Sequence, residues 1–466
     1  MLGYGLAGIV RKFVVWPAAM IWPGDLVCCA LYRVFHNDAK DDKQNCEKNM
    51  ATSDRRMSRF HFFLLIFFLQ FLWYWIPGYI CPILSVLSLF CLIDPTNIVL
   101  SQVTGVNGLG LGSLELDWNA WVAFLQSPIV IPFWAQLNIF IGFVILVWII
   151  TPTAYYNNLW NSKAMPIVSN RVFTVEGYYY NVNAVLDSRL HLNETAYNLY
   201  GSNFFSCSTI FDNLFISGPL RITALFAFKY GIQFAAVTCT LVYTFLNDGK
   251  TIINQLRSSI SNVNNDIHAK LMAQYKEAPE WWYIIVFLVA FIIALIVCQI
   301  GELMPWYMLF RMFEFKFDFF FVCEDHMSFL VAVIIAFVFL LPNAIMRAIT
   351  GVMLGLSIIA ECIASLIMPG DPMAILTFKI YASITEGQAI YFLGDLKIGH
   401  YIKIPPRVMF TTQIVATVVA CVVHVWTAIY LINTVPHICT SKNIQWTCPI
   451  VTTVYSESII WGAVGN

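Results

Sequence analysis

Apolar runs of about twenty residues recur along the chain, and they constrain its fold more than any other feature. Of the 466 residues, 59% are hydrophobic and only 11% are charged, and the mean hydropathy is +0.71. Soluble globular domains usually carry roughly 25% charged residues. Runs of this length suit helices that cross a bilayer. The sequence therefore predicts an all-α, polytopic integral membrane protein with about nine to eleven hydrophobic segments.

Proline interrupts several of these runs. The run Phe60–Ile93 is too long for one simple helix and contains Pro77, Gly78 and Pro82, and the run Trp118–Ile150 is interrupted in the same way. Backbone groups freed at such breaks are tolerated in a membrane only where protein or water satisfies them. We therefore expect some of the segments to be broken or re-entrant helices.

Polar segments between the runs suggest a topology. Segment 37–59, together with Arg33, carries seven Lys and Arg residues. Because such an excess next to membrane spans is typical of cytoplasmic loops, we expect this segment inside the cell. Counting membrane crossings from this segment places segment 151–217 outside the cell and segment 247–280 inside it.

Two features agree with this assignment of inside and outside. The sequon Asn193-Glu194-Thr195 would lie outside, where Asn193 could be glycosylated. Cys439 and Cys448 bracket a short polar loop that would also lie outside, where a disulfide between them is plausible.

The stretch Met368–Phe410 is apolar but carries ionisable residues. Lys379 and Glu386 lie in its apolar part seven residues apart, so they share a helix face. Glu361 lies in the preceding apolar run, where a carboxylate suits either a proton carrier or a hydrogen bond between helices. Ionisable groups at membrane depth usually mark a substrate or ion path. We therefore treat these three residues as substrate or proton-pathway candidates; whether Lys379 and Glu386 pair directly is open.

A polar cluster closes this stretch. Its members are Asp395, Lys397, His400, Lys403, Pro405, Pro406 and Arg407. The two prolines fix two φ angles and remove two backbone donors, so the chain bends there. The five ionisable members join the pathway candidates.

Motifs in a fixed order give the chain a resemblance to a known family. They are GYGLAG at 3–8, QFLWYWIPG at 70–78, GLGLG at 108–112, WAQLN at 134–138, HAKLM at 268–272, WWY at 281–283, and DLK, GHY and KIPPR at 395–397, 399–401 and 403–407. On these motifs the chain resembles the oligopeptide transporter family, in particular its peptide-transporting branch of fungi and plants. The resemblance covers nearly the whole chain, which is then one membrane domain over 1–466.

The resemblance implies a function. It implies secondary active, proton-coupled import of short peptides such as tetrapeptides and pentapeptides, glutathione or peptide-like conjugates, at the plasma membrane. The proton gradient would drive transport without a cofactor. The partners would be the peptide, protons and the lipid bilayer. A net charge of −1 gives no indication of a nucleic-acid partner.

Departures from the family pattern leave two alternatives. Family members are longer at both ends, so the domain is incomplete, and segment 307–327 has no family counterpart. The first alternative is therefore a truncated fragment that does not transport. The weaker alternative is a membrane-embedded enzyme, although the sequence has no spacing typical of a nucleophile or a metal site, so we predict neither an enzyme nor a bound metal.

Several motif residues fit either a functional or a structural role. Lys403 and Arg407 suit contact with a peptide carboxylate or anchoring of the next span. His400, beside Asp395, suits a proton relay or an interfacial position.

The motif residues further upstream have simpler interpretations. His268 and Tyr275 would share one face of a cytoplasmic helix, where solvated surface is the simpler interpretation. Trp281 and Trp282 suit an interfacial aromatic belt.

Overall fold

A computed structural model describes most of the chain. It covers residues 1–49, 59–85, 87–94, 96–105, 108–117, 131–187, 192–193, 195–197, 221–250, 267–301, 303, 328–440, 443, 446 and 448–464. Segment 307–327, singled out in the sequence, lies outside the described residues.

Helices dominate the first half of the described chain. They are α1 (Leu2–Val14), α2 (Pro23–Asn49), α3 (Arg59–Trp75), α4 (Leu89–Ile93), α5 (Ile98–Thr104), α6 (Phe133–Phe143), α7 (Thr151–Tyr156) and α8 (Ala224–Tyr243). A π turn joins α6 to α7 at Val144–Ile150, and another follows α8 at Thr244–Asp248. The named strands are one antiparallel pair of two residues each, β1 (Leu87–Ser88) and β2 (Ser113–Leu114).

The second half continues the helical pattern. Its helices are α9 (Ile267–Met272), α10 (Glu280–Ile300), α11 (Ser328–Thr350), α12 (Ser357–Ile367), α13 (Pro372–Lys379), α14 (Thr385–Ile402), α15 (Pro406–Thr434) and α16 (Pro449–Val464). A π turn, Ile380–Ile384, joins α13 to α14.

Six described helical segments are long and apolar enough to cross a membrane. They are Arg59–Ile80, Phe133–Tyr156, Ala224–Asn247, Glu280–Ile300, Ser328–Thr350 and Pro406–Thr434. Among these, Ser328–Thr350 is half buried in its most apolar window, whereas the corresponding window of Pro406–Thr434 contains no buried residue. The prediction of an all-α polytopic membrane protein is confirmed.

Broken helices occur where proline or glycine interrupts the apolar runs. Helix α3 passes into a π turn at Ile76–Ile80 and then a 3-10 turn at Pro82–Ser85, as the run Phe60–Ile93 predicts. A second break follows α11, where residues 351–356 form neither helix nor strand before α12 begins. Gly351 starts this break with a φ of +79°, which a residue with a side chain rarely adopts.

The polar segments between the apolar runs contain helices and isolated bridges. Helix α2 continues through residues 37–49 of the segment predicted as a cytoplasmic loop. Segment 151–217 begins with α7 and contains isolated bridges such as Phe173 with Tyr179. Segment 247–280 contains α9. The side of the membrane on which each segment lies stays a prediction.

Helix α1 packs closely against α10 and α14 through its glycines. A Cβ atom at Gly3 would lie within 3.0 Å of the Thr385 carbonyl oxygen and the Ala389 nitrogen, and one at Gly8 would meet the Tyr283 ring. Small residues allow such close approach between helices in membranes. The GYGLAG motif therefore has a packing role.

We expect Gly3→Ala to lower the free energy of unfolding by about 1–3 kcal/mol, because its methyl group would meet backbone atoms of α14. Gly142→Ala is the matched control, since a Cβ there meets nothing within 4 Å. The control should be neutral, or stabilising by up to roughly 1 kcal/mol. Urea unfolding in mild detergent, followed by helical circular dichroism, measures both. Equal effects would contradict the packing role.

Candidate functional site

Three charged side chains meet inside the helix bundle at Lys379, and a fourth, from an exposed lysine, joins them at the edge. The Lys379 Nζ lies 2.7 Å from Glu361 Oε1 and 2.7 Å from Glu457 Oε2. These three residues are buried, with Glu361 fully so. Lys229 extends the group, because its Nζ lies 3.1 Å from Glu457 Oε1. We call Lys229, Glu361, Lys379 and Glu457 the buried charge cluster.

The buried charge cluster is electrically balanced. Its two ammonium groups and two carboxylates alternate in the order Lys229, Glu457, Lys379, Glu361, and they come from α8, α16, α13 and α12. Charges removed from water are stable only when they pair well. Glu361 Oε2 is buried and has no hydrogen-bond partner among the described residues. The cluster therefore contains a carboxylate oxygen that is free to receive a proton.

A tight turn brings Lys379 to this position. Gly370 has a φ of +76° and lies between α12 and α13, and its N–H donates to the Gly462 carbonyl of α16 over 3.2 Å. The Asp371 side chain then caps α13 by accepting from the Ala374 N–H at 3.0 Å. The turn and cap hold α13 against α12 and α16, so its last residue, Lys379, lies between their carboxylates.

Glu386 belongs to a second buried polar group. Its Oε1 accepts a hydrogen bond of 2.6 Å from Asn343 Nδ2. The same amide nitrogen donates to the Leu354 carbonyl at 2.7 Å, and Asn343 Oδ1 accepts from the Leu354 N–H at 3.0 Å. Asn343 therefore holds the break after α11 and connects it to Glu386.

Lys379 and Glu386 bind different partners, which answers the question of their direct pairing. The π turn Ile380–Ile384 separates them, and a π turn inserts i→i+5 bonds into the α-helical pattern. It therefore rotates the face of α13 relative to that of α14. Lys379 contacts the two carboxylates of the buried charge cluster, whereas Glu386 contacts Asn343.

A cavity of about 480 Å³ opens beside Lys229. It lies between the π turn after α6, helix α8 and the break 351–356, and its lining is mostly apolar. Gln233 and Asn170 add polar groups to the wall. A smaller cavity reaches Glu386 and shares Val237 and Leu354 with the first. The volume lies in the range of small-molecule sites.

Lys397 is a structural anchor in this conformation. It is 1% exposed, and its Nζ donates to the carbonyls of Val15 at 2.8 Å and Pro17 at 3.1 Å. The Tyr401 hydroxyl donates to the Ile21 carbonyl at 3.0 Å. These carbonyls lie in the break between α1 and α2, so α14 satisfies backbone groups that the break leaves free.

Lys403 ends α14 and ties it to α9. Its φ is +70°, and the next N–H, of Ile404, donates to the Gly399 carbonyl at 2.9 Å, as in a Schellman end. The Lys403 Nζ donates to the His400 carbonyl at 2.9 Å and lies 2.8 Å from Nδ1 of His268. The rings of His268 and His400 lie 6.3 Å apart.

The two prolines start α15. Pro405 is its N-cap and Pro406 its first residue, a position where a missing N–H costs nothing. The next residue, Arg407, donates from Nε to the Glu277 carbonyl at 3.2 Å and lies 6.0 Å from the Trp282 ring. Arg407 therefore holds the chain that leads into α10.

Asp395 and His400 face different neighbours. Asp395 lies where the charges of Asp25 and Arg347 act on it, whereas His400 lies beside His268. Positions five apart point in directions about 140° different on an α-helix. Their side chains therefore point in different directions on α14, and a proton relay through His400 stays a prediction.

Two expectations about neighbouring aromatic residues have different outcomes. Helix α9 ends at Met272, and the Tyr275 N–H donates to the Met272 carbonyl in the following turn. Tyr275 therefore does not share a helical face with His268, contrary to the prediction. Trp281, at the start of α10, is 58% exposed, and the interfacial belt stays a prediction.

The two predicted covalent sites lie near the surface. Cys439 and Cys448 form a disulfide with their Cα atoms 4.9 Å apart. Asn193 is exposed, and its Oδ1 accepts from the Ala196 N–H at 3.1 Å. Glu194 lies outside the described residues, and glycosylation stays a prediction.

Sequence reasoning missed Glu457 and Asn343, whereas Lys229, near the middle of an apolar run, is a candidate from its sequence position. Each lies in an apolar helix, so an ionisable or amide side chain inside an apolar run was the available signal. Within the described ranges, no three His, Cys, Asp or Glu side chains converge as metal ligands.

We expect Lys379→Met to lower the free energy of unfolding by about 3–5 kcal/mol, because two buried carboxylates would lose their shared cation. Lys12→Met is the control. Lys12 pairs with Glu280 at an exposed position, with side-chain exposures of 37% and 61%, so its loss should cost less than about 1 kcal/mol. Urea unfolding in detergent measures both variants. A loss for Lys379→Met no larger than that of the control would contradict the cluster's role.

We expect Lys397→Met to loosen the break between α1 and α2, because the Val15 and Pro17 carbonyls lose their donor. The cost should be roughly 2–4 kcal/mol. Hydrogen exchange of residues 15–22 should accelerate relative to the unchanged protein. Lys270→Met, on the exposed face of α9, is the control and should leave this exchange unchanged. Unchanged exchange in Lys397→Met would refute the anchor.

Comparison with known proteins places the chain in a family. A family model described as "OPT oligopeptide transporter protein" matches residues 1–466. Three proteins of Arabidopsis thaliana align with 100% of this chain. Oligopeptide transporter 7 is 36% identical over 470 residues, oligopeptide transporter 5 is 36% identical over 478, and oligopeptide transporter 1 is 35% identical over 478.

The match covers only part of each relative. The chain spans 55% of oligopeptide transporter 7 and 57% of oligopeptide transporters 5 and 1. No solved structure matches the chain significantly. Because the family model covers every residue, the resemblance drawn from the motifs is confirmed, and the chain belongs to the oligopeptide transporter family.

Proposed function

We propose that this chain carries out secondary active, proton-coupled import of short peptides. The names of its relatives, oligopeptide transporters, support oligopeptides as the substrate class. We extend this class to tetrapeptides, pentapeptides, glutathione and peptide-like conjugates, and propose the plasma membrane as the location. Membership of a transporter family points away from an enzyme.

The buried charge cluster beside the cavity is the observation that carries this proposal. A short peptide has a carboxylate, an ammonium group and several amides, so its site needs both charged and polar partners. The cavity has Lys229, Gln233 and Asn170 in an otherwise largely apolar wall. This composition, a few polar groups in an apolar pocket, is typical of small-molecule sites.

Proton coupling needs a buried group that gains and loses a proton as its partners change. Glu361, Glu457 and Glu386 are buried carboxylates. Glu386 lines the smaller cavity, Glu457 pairs with Lys229 of the larger one, and Glu361 is linked to Glu457 through Lys379. Their partners are side chains, Lys379, Lys229 and Asn343. Any movement that removes a partner cation favours the protonated acid, because an unpaired buried charge is costly.

The polar groups around Pro405 have a supporting role in this proposal. Lys397, Lys403 and Arg407 donate to backbone carbonyls. They therefore hold helix ends in place around the pathway. For these side chains to contact a peptide carboxylate, the helix ends would have to separate in another conformation.

Uptake of a labelled tetrapeptide by cells expressing the chain tests the proposal. We expect uptake to rise when the outside is acidified and to fall at least severalfold when a protonophore collapses the gradient. Glu361→Gln should lower proton-dependent uptake at least tenfold at equal surface abundance, because it removes one of the two carboxylates that balance the lysines of the buried charge cluster. Glu280→Gln, at the exposed pair, is the control.

Two outcomes would overturn the proposal. Uptake that ignores the proton gradient would refute proton coupling. The absence of peptide uptake by chain that reaches the cell surface, with a longer relative active in the same cells, would refute peptide transport by this chain.

A further inference from the structure

The Lys229 side chain differs from the rest of the buried charge cluster in its exposure. It is 45% exposed, against 9% for the Lys379 side chain and 7% for that of Glu457. It also has the longer ion pair, 3.1 Å to Glu457, whereas both contacts of Lys379 are 2.7 Å long. Lys229 is therefore the member of the cluster that can exchange its partner with least cost.

The exposed part of Lys229 faces the 480 Å³ cavity. Among the described residues that line this cavity, Lys229 is the charged one. Its Nζ also lies 5.3 Å from the centre of the Phe226 ring, which forms part of the same wall. A cation in a mostly apolar wall attracts an anion and offers it few competing partners.

Polar groups near Lys229 suit the amides of a peptide. Gln233, one helical turn along α8, donates from its side chain to the Gly355 carbonyl in the break after α11. Asn170, in the segment before α8, also lines the cavity, as do Met353 and Leu354 of the break after α11.

We propose that Lys229 binds the C-terminal carboxylate of the peptide in this cavity, exchanging it for Glu457, and that Glu457 then takes up a proton. This inference rests on the proposed transport of peptides. It assigns the orientation of the substrate, with the carboxylate at α8 and the chain directed along the apolar wall. It also assigns the coupling of substrate to proton to one lysine.

The count of charges gives the reason for the proton. Before binding, two lysines balance two glutamates. The incoming carboxylate adds one negative charge at Lys229, while the peptide's own ammonium group lies at the other end of its chain. One proton from solvent, bound to the Glu457 oxygen that Lys229 leaves, restores the local balance. The groups that face Glu457 are Lys229 and Tyr230 of α8, Lys379 of α13 and Glu361 of α12.

The remaining members of the cluster keep their positions when Lys229 exchanges Glu457 for the peptide carboxylate. Lys379 stays between Glu361 and Glu457 and does not reach the cavity wall. When Lys229 turns to the ligand, Lys379 is shared by two carboxylates, one of which is neutral after protonation. Release of the peptide returns Lys229 to Glu457 and expels the proton.

A pair of peptides with the same sequence tests the inference in the purified chain, reconstituted in nanodiscs. One is a tetrapeptide with a free C-terminus and the other is its C-terminal amide. We expect the free acid to bind roughly ten- to a hundredfold more tightly, the effect of one charge-assisted hydrogen bond. Lys229→Gln should reduce the free-acid affinity to that of the amide. Lys229→Arg should retain most of the preference, and Lys270→Gln all of it.

Calorimetry in buffers of different ionisation enthalpy tests the proton. Binding of the free acid should take up about one proton per peptide, as the charge count requires. Binding of the amide should take up none. Glu457→Gln should bind the free acid without proton uptake.

The outcomes separate this inference from the proposed function. Equal affinity of the two peptides for the unchanged chain, or a free-acid preference that survives in a folded Lys229→Gln, would overturn the inference while leaving peptide transport intact. Free-acid binding without proton uptake would overturn the coupling. Failure of the folded chain to bind either peptide would instead overturn the proposed function.

Discussion

The balance of charge between Lys229, Glu361, Lys379 and Glu457 is the constraint on which the rest of the bundle depends. Charges far from water are stable only beside opposite charges, so four helices must meet at one place with two carboxylates 2.7 Å from one ammonium group. The short α12, the turn at Gly370 and the capped α13 are the local features that make this meeting possible. A change in any one charge alters the energy of the other three, which is the property that coupling of two ligands requires.

The second constraint is the broken backbone. Each break exposes carbonyl and N–H groups that cannot be left unsatisfied in a bilayer. Lys397 supplies donors for the break between α1 and α2, and Asn343 does so for the break after α11. Lys397 therefore binds backbone groups and maintains the fold, whereas Lys229 and Lys379 pair with carboxylates that can exchange partners. Asn343 does both, since it binds Leu354 of the backbone and the Glu386 side chain.

Sequence alone predicted the features that depend on local composition. Hydropathy predicted the all-α membrane fold, proline predicted the break near Pro77, and charge in an apolar run predicted Glu361, Lys379 and Glu386. It did not predict Glu457 as a partner, because Glu457 lies 78 residues from Lys379 and such pairing leaves no local pattern. The π turn Ile380–Ile384 has no compositional signal either. The sequence around a lysine in a basic motif also does not distinguish a lysine that binds a ligand from one that binds a backbone carbonyl, as Lys397 does.

The proposal of transport rests on the position of the cavity and not on the KIPPR motif. Leu354 lines both cavities and is held by Asn343, which also donates to Glu386. Lys229, which is paired with Glu457, also lines the larger cavity. The larger cavity is therefore linked to two buried acidic groups, to Glu457 through a lysine and to Glu386 through an amide. The KIPPR lysine and arginine contact carbonyls at helix ends and lie on neither wall, so in this conformation their effect on a ligand is mediated by the helices that they hold.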